Sequence, residues 1–208
     1  MFIAVEGIPG SGKTALIRSL RDRLPKNESG HLSVDIEFPS YGRVGSVIRS
    51  TDRANPAGSP PRPFEPSSLL HLNLADMYDE MPRWESRLVD GGDILCERYF
   101  VWLRVTQIDH HSPYMVDHVC RKAERLLPRP DLYVILNLRP EDAIKRIQLC
   151  NWPPRPMPNL DHMQVLADRY LQVSNTIWSW LPRGEQGVLV LDGARETYQL
   201  ADAVCDRV

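Results

Sequence analysis

The sequence lacks any run approaching the ~18 apolar residues that a membrane-spanning helix requires, so a helical membrane protein is excluded and no membrane partner is expected. It also lacks an excess of either charge. There are 25 Lys+Arg against 27 Asp+Glu, a formal net charge of -2, and the pI is about 6.3. Domains whose whole surface grips nucleic acid are usually basic, so nucleic acid is not the expected partner. Cysteine is scarce: only Cys96, Cys120, Cys150 and Cys205, no two in CxxC spacing. Neither a zinc site nor a disulfide framework is indicated, and reduced thiols in a cytoplasmic protein are expected. His110-His111 has no third ligand at a telling spacing. The chain passes directly into the apolar Phe2-Ile3-Ala4-Val5 without a basic stretch, so no secretory signal is expected. There is no internal repeat. Glycine is outnumbered by proline, 12 against 18.

What remains is ordinary globular composition. The 208 residues, 25% charged and 42% hydrophobic, suit one domain over residues 1–208. Short apolar runs at 2–5, 32–36, 94–96, 132–138 and 188–191 read as strands. Between them, helical patterning covers 14–24, 69–90, 115–127, 140–149, 160–181 and 196–208, with a short helix starting at Gly45. Alternation of this kind predicts an α/β fold with right-handed crossovers and a parallel sheet covered on both faces. Prolines crowd 54–66 and 152–158. The first stretch reads as a loop, because proline fixes φ and removes donors.

The strongest local signal is Gly7-Ile8-Pro9-Gly10-Ser11-Gly12-Lys13-Thr14, a G-x-x-x-x-G-K-[ST] pattern between an apolar strand and a helix. A chance match in a chain of this length is on the order of one in a hundred. Glycines let backbone N–H groups turn inward around phosphate oxygens, and the following helix N-terminus adds its positive dipole end. Gly7, Gly10, Ser11, Gly12, Lys13, Thr14 and Ala15 are therefore the expected ATP-binding residues. Lys13 would reach the β- and γ-phosphates, and the Thr14 hydroxyl would face Mg²⁺.

A second cluster follows the strand at 94–96. Glu97-Arg98-Tyr99 puts a carboxylate and a guanidinium at the carboxyl end of a parallel strand, where ligands bind. Arg98 can grip phosphate bidentately. Glu97 can hold Mg²⁺-bound water or accept a hydroxyl proton.

In order along nearly the whole chain, these pieces resemble the thymidylate kinases, within the P-loop nucleoside and nucleoside-monophosphate kinases. The similar segments are Phe2-Ile-Ala-Val-Glu6-Gly7, Glu37-Phe38-Pro39-Ser-Tyr41-Gly42, Gly45-Ser-Val-Ile-Arg49 and Leu72-Asn-Leu-Ala75-Asp76. They continue with Glu97-Arg98-Tyr99 and Gln107, Pro130-Asp131-Leu132, Arg139 to Arg146, Tyr170, and the final strand with its Asp192 turn. The resemblance implies a three-layer P-loop kinase fold, a five-stranded parallel sheet flanked by helices with a short lid over 149–159. It implies ATP and Mg²⁺ as cofactors, a small nucleotide or nucleoside as substrate, and a homodimer. It also implies roles. Arg49 and Arg98 would hold the acceptor's phosphate, and Glu37 would be a further substrate-binding residue. Phe38 would stack on the base and Gln107 would hydrogen-bond to it. Arg146 and the lid residue Arg155 would steady ATP and the transferring phosphoryl group, alongside Lys13 and Glu97.

Departures fall on the acceptor side. The family's acidic residue in the loop is Pro9 here, its helix arginine is Met77, the serine of D-R-Y-x-x-S is Trp102, and the tyrosine before the glutamine is Thr106. Buried polar readers discriminate strongly, so their loss points to a shifted acceptor. The related deoxyribonucleoside kinases carry E-R-S at this place, and their catalytic base is a glutamate just after the second strand, the position of Glu37. A monophosphate acceptor attacks through an oxygen that is already anionic, whereas a hydroxyl acceptor needs a base. Three readings stay open from sequence: a pyrimidine monophosphate kinase, a nucleoside or hydroxymethyl-pyrimidine kinase, and a non-catalytic nucleotide-binding module.

Overall fold

The structure is a computed structural model that describes residues 1–24, 33–54, 64–149, 158–177 and 187–208. Most of the lid expected over 149–159, Arg155 included, and most of the proline-rich 54–66 lie outside these residues, as do Cys150, Trp152, Trp178 and Trp180.

Five parallel strands form the centre: β1 (Phe2–Gly7), β2 (Val34–Glu37), β3 (Ile94–Glu97), β4 (Leu132–Asn137) and β5 (Gly187–Asp192). Their order is β2-β3-β1-β4-β5. The register pairs Val5 with Glu97 and Gly7 with Leu136. Every residue of β1, and β4 up to Ile135 and Leu136, is buried, as parallel strands covered on both faces require. Alternation then sorts the side chains. Phe2, Ala4, Ile94, Cys96, Tyr133 and Ile135 join one core, and Ile3, Val5, Leu95, Leu132, Val134 and Leu136 join the other.

The second core is closed by α1 (Lys13–Arg23) and α8 (Thr197–Cys205), through Leu16, Leu20, Leu200 and Val204. The first lies under α3 (Pro66–Val89), α4 (Phe100–Gln107), α5 (Pro113–Ala123) and α7 (Leu160–Ile177). Two more helices, α2 (Arg43–Ala54) and α6 (Pro140–Leu149), complete the described elements. The expected three-layer α/β architecture with five parallel strands is what is found.

Beyond shifts of a few residues at element ends, two helices differ from their sequence reading. The helix started at Gly45 begins at Arg43 and runs 12 residues. The helix α4 has no counterpart in the sequence reading: six of its eight residues are buried, so it offers no polar face to give a helical stripe. An ion pair network ties it down, with Arg104 donating to both Glu124 oxygens at 2.8 and 2.9 Å. Cys96 and Cys120 are buried free thiols, pushed up in pKa by that burial and thus unreactive.

The chain leaves β1 toward β2 on one side and crosses from β3 to β4 on the other. The carboxyl ends of β1 and β3 therefore flank the topological switch point, where open α/β sheets bind ligands. Gly7 and Arg98 stand there.

Candidate active site

The loop from Gly7 to Thr14 joins β1 to α1. At Gly10 the backbone takes φ 77°, and a Cβ there would meet the Ala143 carbonyl at 2.6 Å. Only glycine combines that turn with such close approach to α6. Arg146, on the same helix, donates to the Ser11 carbonyl at 3.4 Å, so it sits on the loop. Ser11 is buried and its hydroxyl has no partner among the described residues. Lys13 donates from Nζ to the Gly7 and Ile8 carbonyls, both at 3.0 Å, inside the loop. Burial and the Arg98 charge lower its pKa to about 8, against the pull of Glu97. Ala15 is exposed on the first turn of α1.

Glu97 joins this donor side to the acceptor side. Thr14 donates its hydroxyl to Glu97 Oε2 at 2.6 Å, Lys13 Nζ is 4.0 Å from Oε1, and Arg98 Nη2 is 3.7 Å from the same oxygen. A hydroxyl and a carboxylate at this point suit a small hard cation, which takes few protein oxygens and completes its shell with water and phosphate.

Arg98 stands beyond the end of β3 in the left-handed region, φ 67°. For a residue other than glycine this costs on the order of 1–3 kcal/mol and marks functional sites. Two bonds from backbone N–H groups hold it: Arg98 N donates to Val5 O at 3.1 Å, and the next N–H, of Tyr99, donates to the Glu6 side chain at Oε1, 2.8 Å away. Glu6 is fully buried, and that burial raises its pKa to about 7 against the pull of the Tyr99 and Trp102 N–H groups. Arg98 Nη1 bonds Glu37 Oε1 at 2.8 Å and the Phe38 carbonyl at 3.2 Å.

Arg49 reaches the same carboxylate from α2. Its Nη2 is 3.5 Å from Glu37 Oε2, its Nε donates to the Ser40 carbonyl at 3.1 Å, and its guanidinium lies 4.0 Å over the Tyr41 ring. Gly45 makes this approach feasible: a Cβ there would collide with the Ser40 carbonyl and nitrogen. Ser40 in turn donates its N–H and its hydroxyl to the buried Asp76 of α3, both at 2.6 Å.

The sequence-expected residues Lys13, Thr14, Glu97, Arg98, Glu37 and Arg49 thus form one connected cluster. Gln107 is buried at the end of α4, with Oε1 unpartnered among the described residues. Phe38 corrects the sequence reading. Expected to stack on a base, it is instead 1% exposed and packs in the core, with Trp84 edge-on at 5.5 Å and Tyr99 at 6.2 Å. Glu6, Ser40 and Asp76 were given no role by the sequence. The available signal was an acid ending an apolar strand and an acid among the inward positions Asn73, Leu74 and Met77 of α3.

Comparison with known proteins agrees with this geometry. The family model described as thymidylate kinase matches residues 5–175. The chain is 26% identical over 175 residues to a probable thymidylate kinase of Archaeoglobus fulgidus, covering 83% of this chain and 81% of that one. It is 33% identical over 149 residues to a probable thymidylate kinase of Pyrobaculum calidifontis, covering 71% and 69%. A probable thymidylate kinase of Pyrobaculum aerophilum is 27% identical over 209 residues, covering 100% and 95%. With its phosphate loop, its paired arginines and this match, the chain belongs to the thymidylate kinase family and is a nucleoside-monophosphate kinase.

Proposed function

We propose that the chain transfers the γ-phosphate of Mg·ATP to a pyrimidine nucleoside monophosphate, dTMP or a modified analogue. The observation that carries this reading is the convergence of Arg49 and Arg98, from α2 and from the end of β3, on the single carboxylate of Glu37. Two guanidinia aimed at one anion form a fork that matches phosphate geometry. Glu97 separates this point from Lys13 and Thr14, so a donor and an acceptor phosphate would meet across it.

In this reading the loop N–H groups and Lys13 hold the β- and γ-phosphates, and Arg146 steadies ATP from α6. Thr14 and Glu97 would hold Mg²⁺ through water, and the ion when bound supplies neutralisation of phosphate charge. Arg49 and Arg98 hold the acceptor's phosphate, and Gln107 reads the base with its buried amide oxygen, unpartnered among the described residues. Positioning and charge neutralisation are most of what such a transfer demands. Arg155 belongs to the expected lid.

A hydroxyl acceptor would need a carboxylate free to take a proton. Glu37 is engaged by two guanidinia, and Glu97 by Thr14 and Lys13, so the monophosphate reading is favoured. ADP formation across a panel of nucleosides and nucleoside monophosphates tests it. Turnover is expected to be highest with a pyrimidine monophosphate; turnover confined to free nucleosides would replace it with a hydroxyl-acceptor kinase.

A further inference from the structure

We propose that Glu37 determines acceptor specificity: its carboxylate is a built-in counter-anion of Arg49 and Arg98, and the acceptor's phosphate binds by replacing it. The proposal rests on the reading that these two arginines hold the acceptor's phosphate.

Three observations support it. First, one carboxylate serves both guanidinia, Oε1 to Arg98 at 2.8 Å and Oε2 to Arg49 at 3.5 Å. This is the arrangement in which a phosphate would engage the pair. Second, each guanidinium has neutral partners that do not depend on Glu37. Arg98 keeps the Phe38 carbonyl; Arg49 keeps the Ser40 carbonyl and the Tyr41 ring. Removing the Glu37 charge therefore leaves both arginines placed, with Glu97 still 3.7 Å from Arg98, and makes the local charge one unit more positive. Third, the arginine side chains are only 16% and 21% exposed, while Glu37 is 31% exposed. The arginines stay shielded from water, and the carboxylate has a path to solvent when it is displaced.

The consequence is discrimination by charge. A phosphate monoester carries nearly two negative charges at neutral pH and offers three oxygens. It exceeds a carboxylate in both respects and displaces it. A ligand without a phosphate arm leaves the Glu37 pairs intact and gains nothing from the arginines. Glu37 thus lowers the affinity for every acceptor phosphate and in return keeps weakly charged ligands from being held by the arginine pair.

The test is calorimetric titration of Glu37→Gln, which keeps the side-chain volume and removes the charge. Inorganic phosphate and dTMP should each bind about tenfold tighter than to the native chain, while thymidine affinity stays within about twofold. Glu37→Asp, which keeps the charge, should leave phosphate affinity within about twofold of native. Its folding and that of Glu37→Gln are checked by thermal unfolding. Phosphate affinity unchanged or weakened in Glu37→Gln would overturn the proposal, as would an equal tightening in Glu37→Asp. Inorganic phosphate makes the result independent of the base. Tightening for phosphate with no dTMP binding to either protein would uphold Glu37's role and defeat the pyrimidine reading.

Discussion

The donor and acceptor halves of the site are built by opposite means. The donor half is mainly eight consecutive residues running from the end of β1 into α1, with Arg146 of α6 resting on them; it is shaped by glycine conformations and closed on itself by Lys13 bonding the Gly7 and Ile8 carbonyls. The acceptor half is assembled from separate stretches: Glu37 to Ser40 after β2, Arg49 on α2, Asp76 on α3 and Arg98 after β3. Each of its arginines is set by a buried acid. Asp76 holds Ser40, which receives Arg49, and Glu6 holds the N–H that follows Arg98. A contiguous loop keeps its geometry through local backbone. A composite one keeps it through long-range hydrogen bonds, and should therefore be the easier of the two to retune.

The largest effect is expected on the donor side. Lys13→Ala removes the charge inside the loop, and kcat should fall by about 10³-fold or more. The native chain holds this ammonium against burial, so its loss should leave the Tm unchanged or raised. Steady-state kinetics with dTMP and thermal unfolding check both. Retained turnover would show that the loop is not the catalytic donor site. On the acceptor side, Arg98→Ala should lower kcat/KM for dTMP by about 10²-fold while the KM for ATP is unchanged. An equal rise in both KM values would break the division into two halves.

This contrast also explains what was legible in the sequence. The five strands and the Gly7 to Thr14 loop were readable because their signals are local: apolar runs, and glycines at fixed spacing. Arg98 was readable from its place after an apolar strand, Arg49 and Glu37 through resemblance, and the structure brings the three together. Glu6 and Asp76 were not given roles, because their partners lie 93 and 36 residues away and a charge within an apolar pattern says nothing of what it binds. Phe38 failed for a related reason. A phenylalanine beside a site can face ligand or core, and only the positions of Trp84 and Tyr99 decide for the core. The helix α4 escaped because burial on nearly every side erases helical periodicity.

Asp76→Ala separates a composite half from a merely stable one. It strips Ser40 of two bonds of 2.6 Å to a buried carboxylate. The loss should cost about 2–3 kcal/mol of stability. The KM for dTMP should rise about tenfold through Arg49, with the KM for ATP unchanged. Asp76→Asn, which keeps one acceptor oxygen, should recover part of both effects. A stability loss without the KM split would reduce Asp76 to a core hydrogen bond.

The smallest effect on turnover, and the sharpest on stability, belongs to Glu6. Burial raises its pKa from 4.5 to about 7. Between those values the native chain keeps a proton that the unfolded chain releases. The stability contributed by this group is therefore full below about pH 4.5, falls as pH rises through the window, and is lost above about pH 7. Its size is on the order of 3 kcal/mol, several degrees of Tm in a chain of this length. Glu6→Gln is neutral at every pH and keeps an oxygen for the Tyr99 N–H, so it has no such slope. Thermal unfolding of both proteins from pH 4.5 to 7.5 should show the variant gaining on the native chain as pH rises. Parallel curves would mean that Glu6 is ionised throughout, with its charge balanced by Lys13, Arg98 and the N–H groups that open α4.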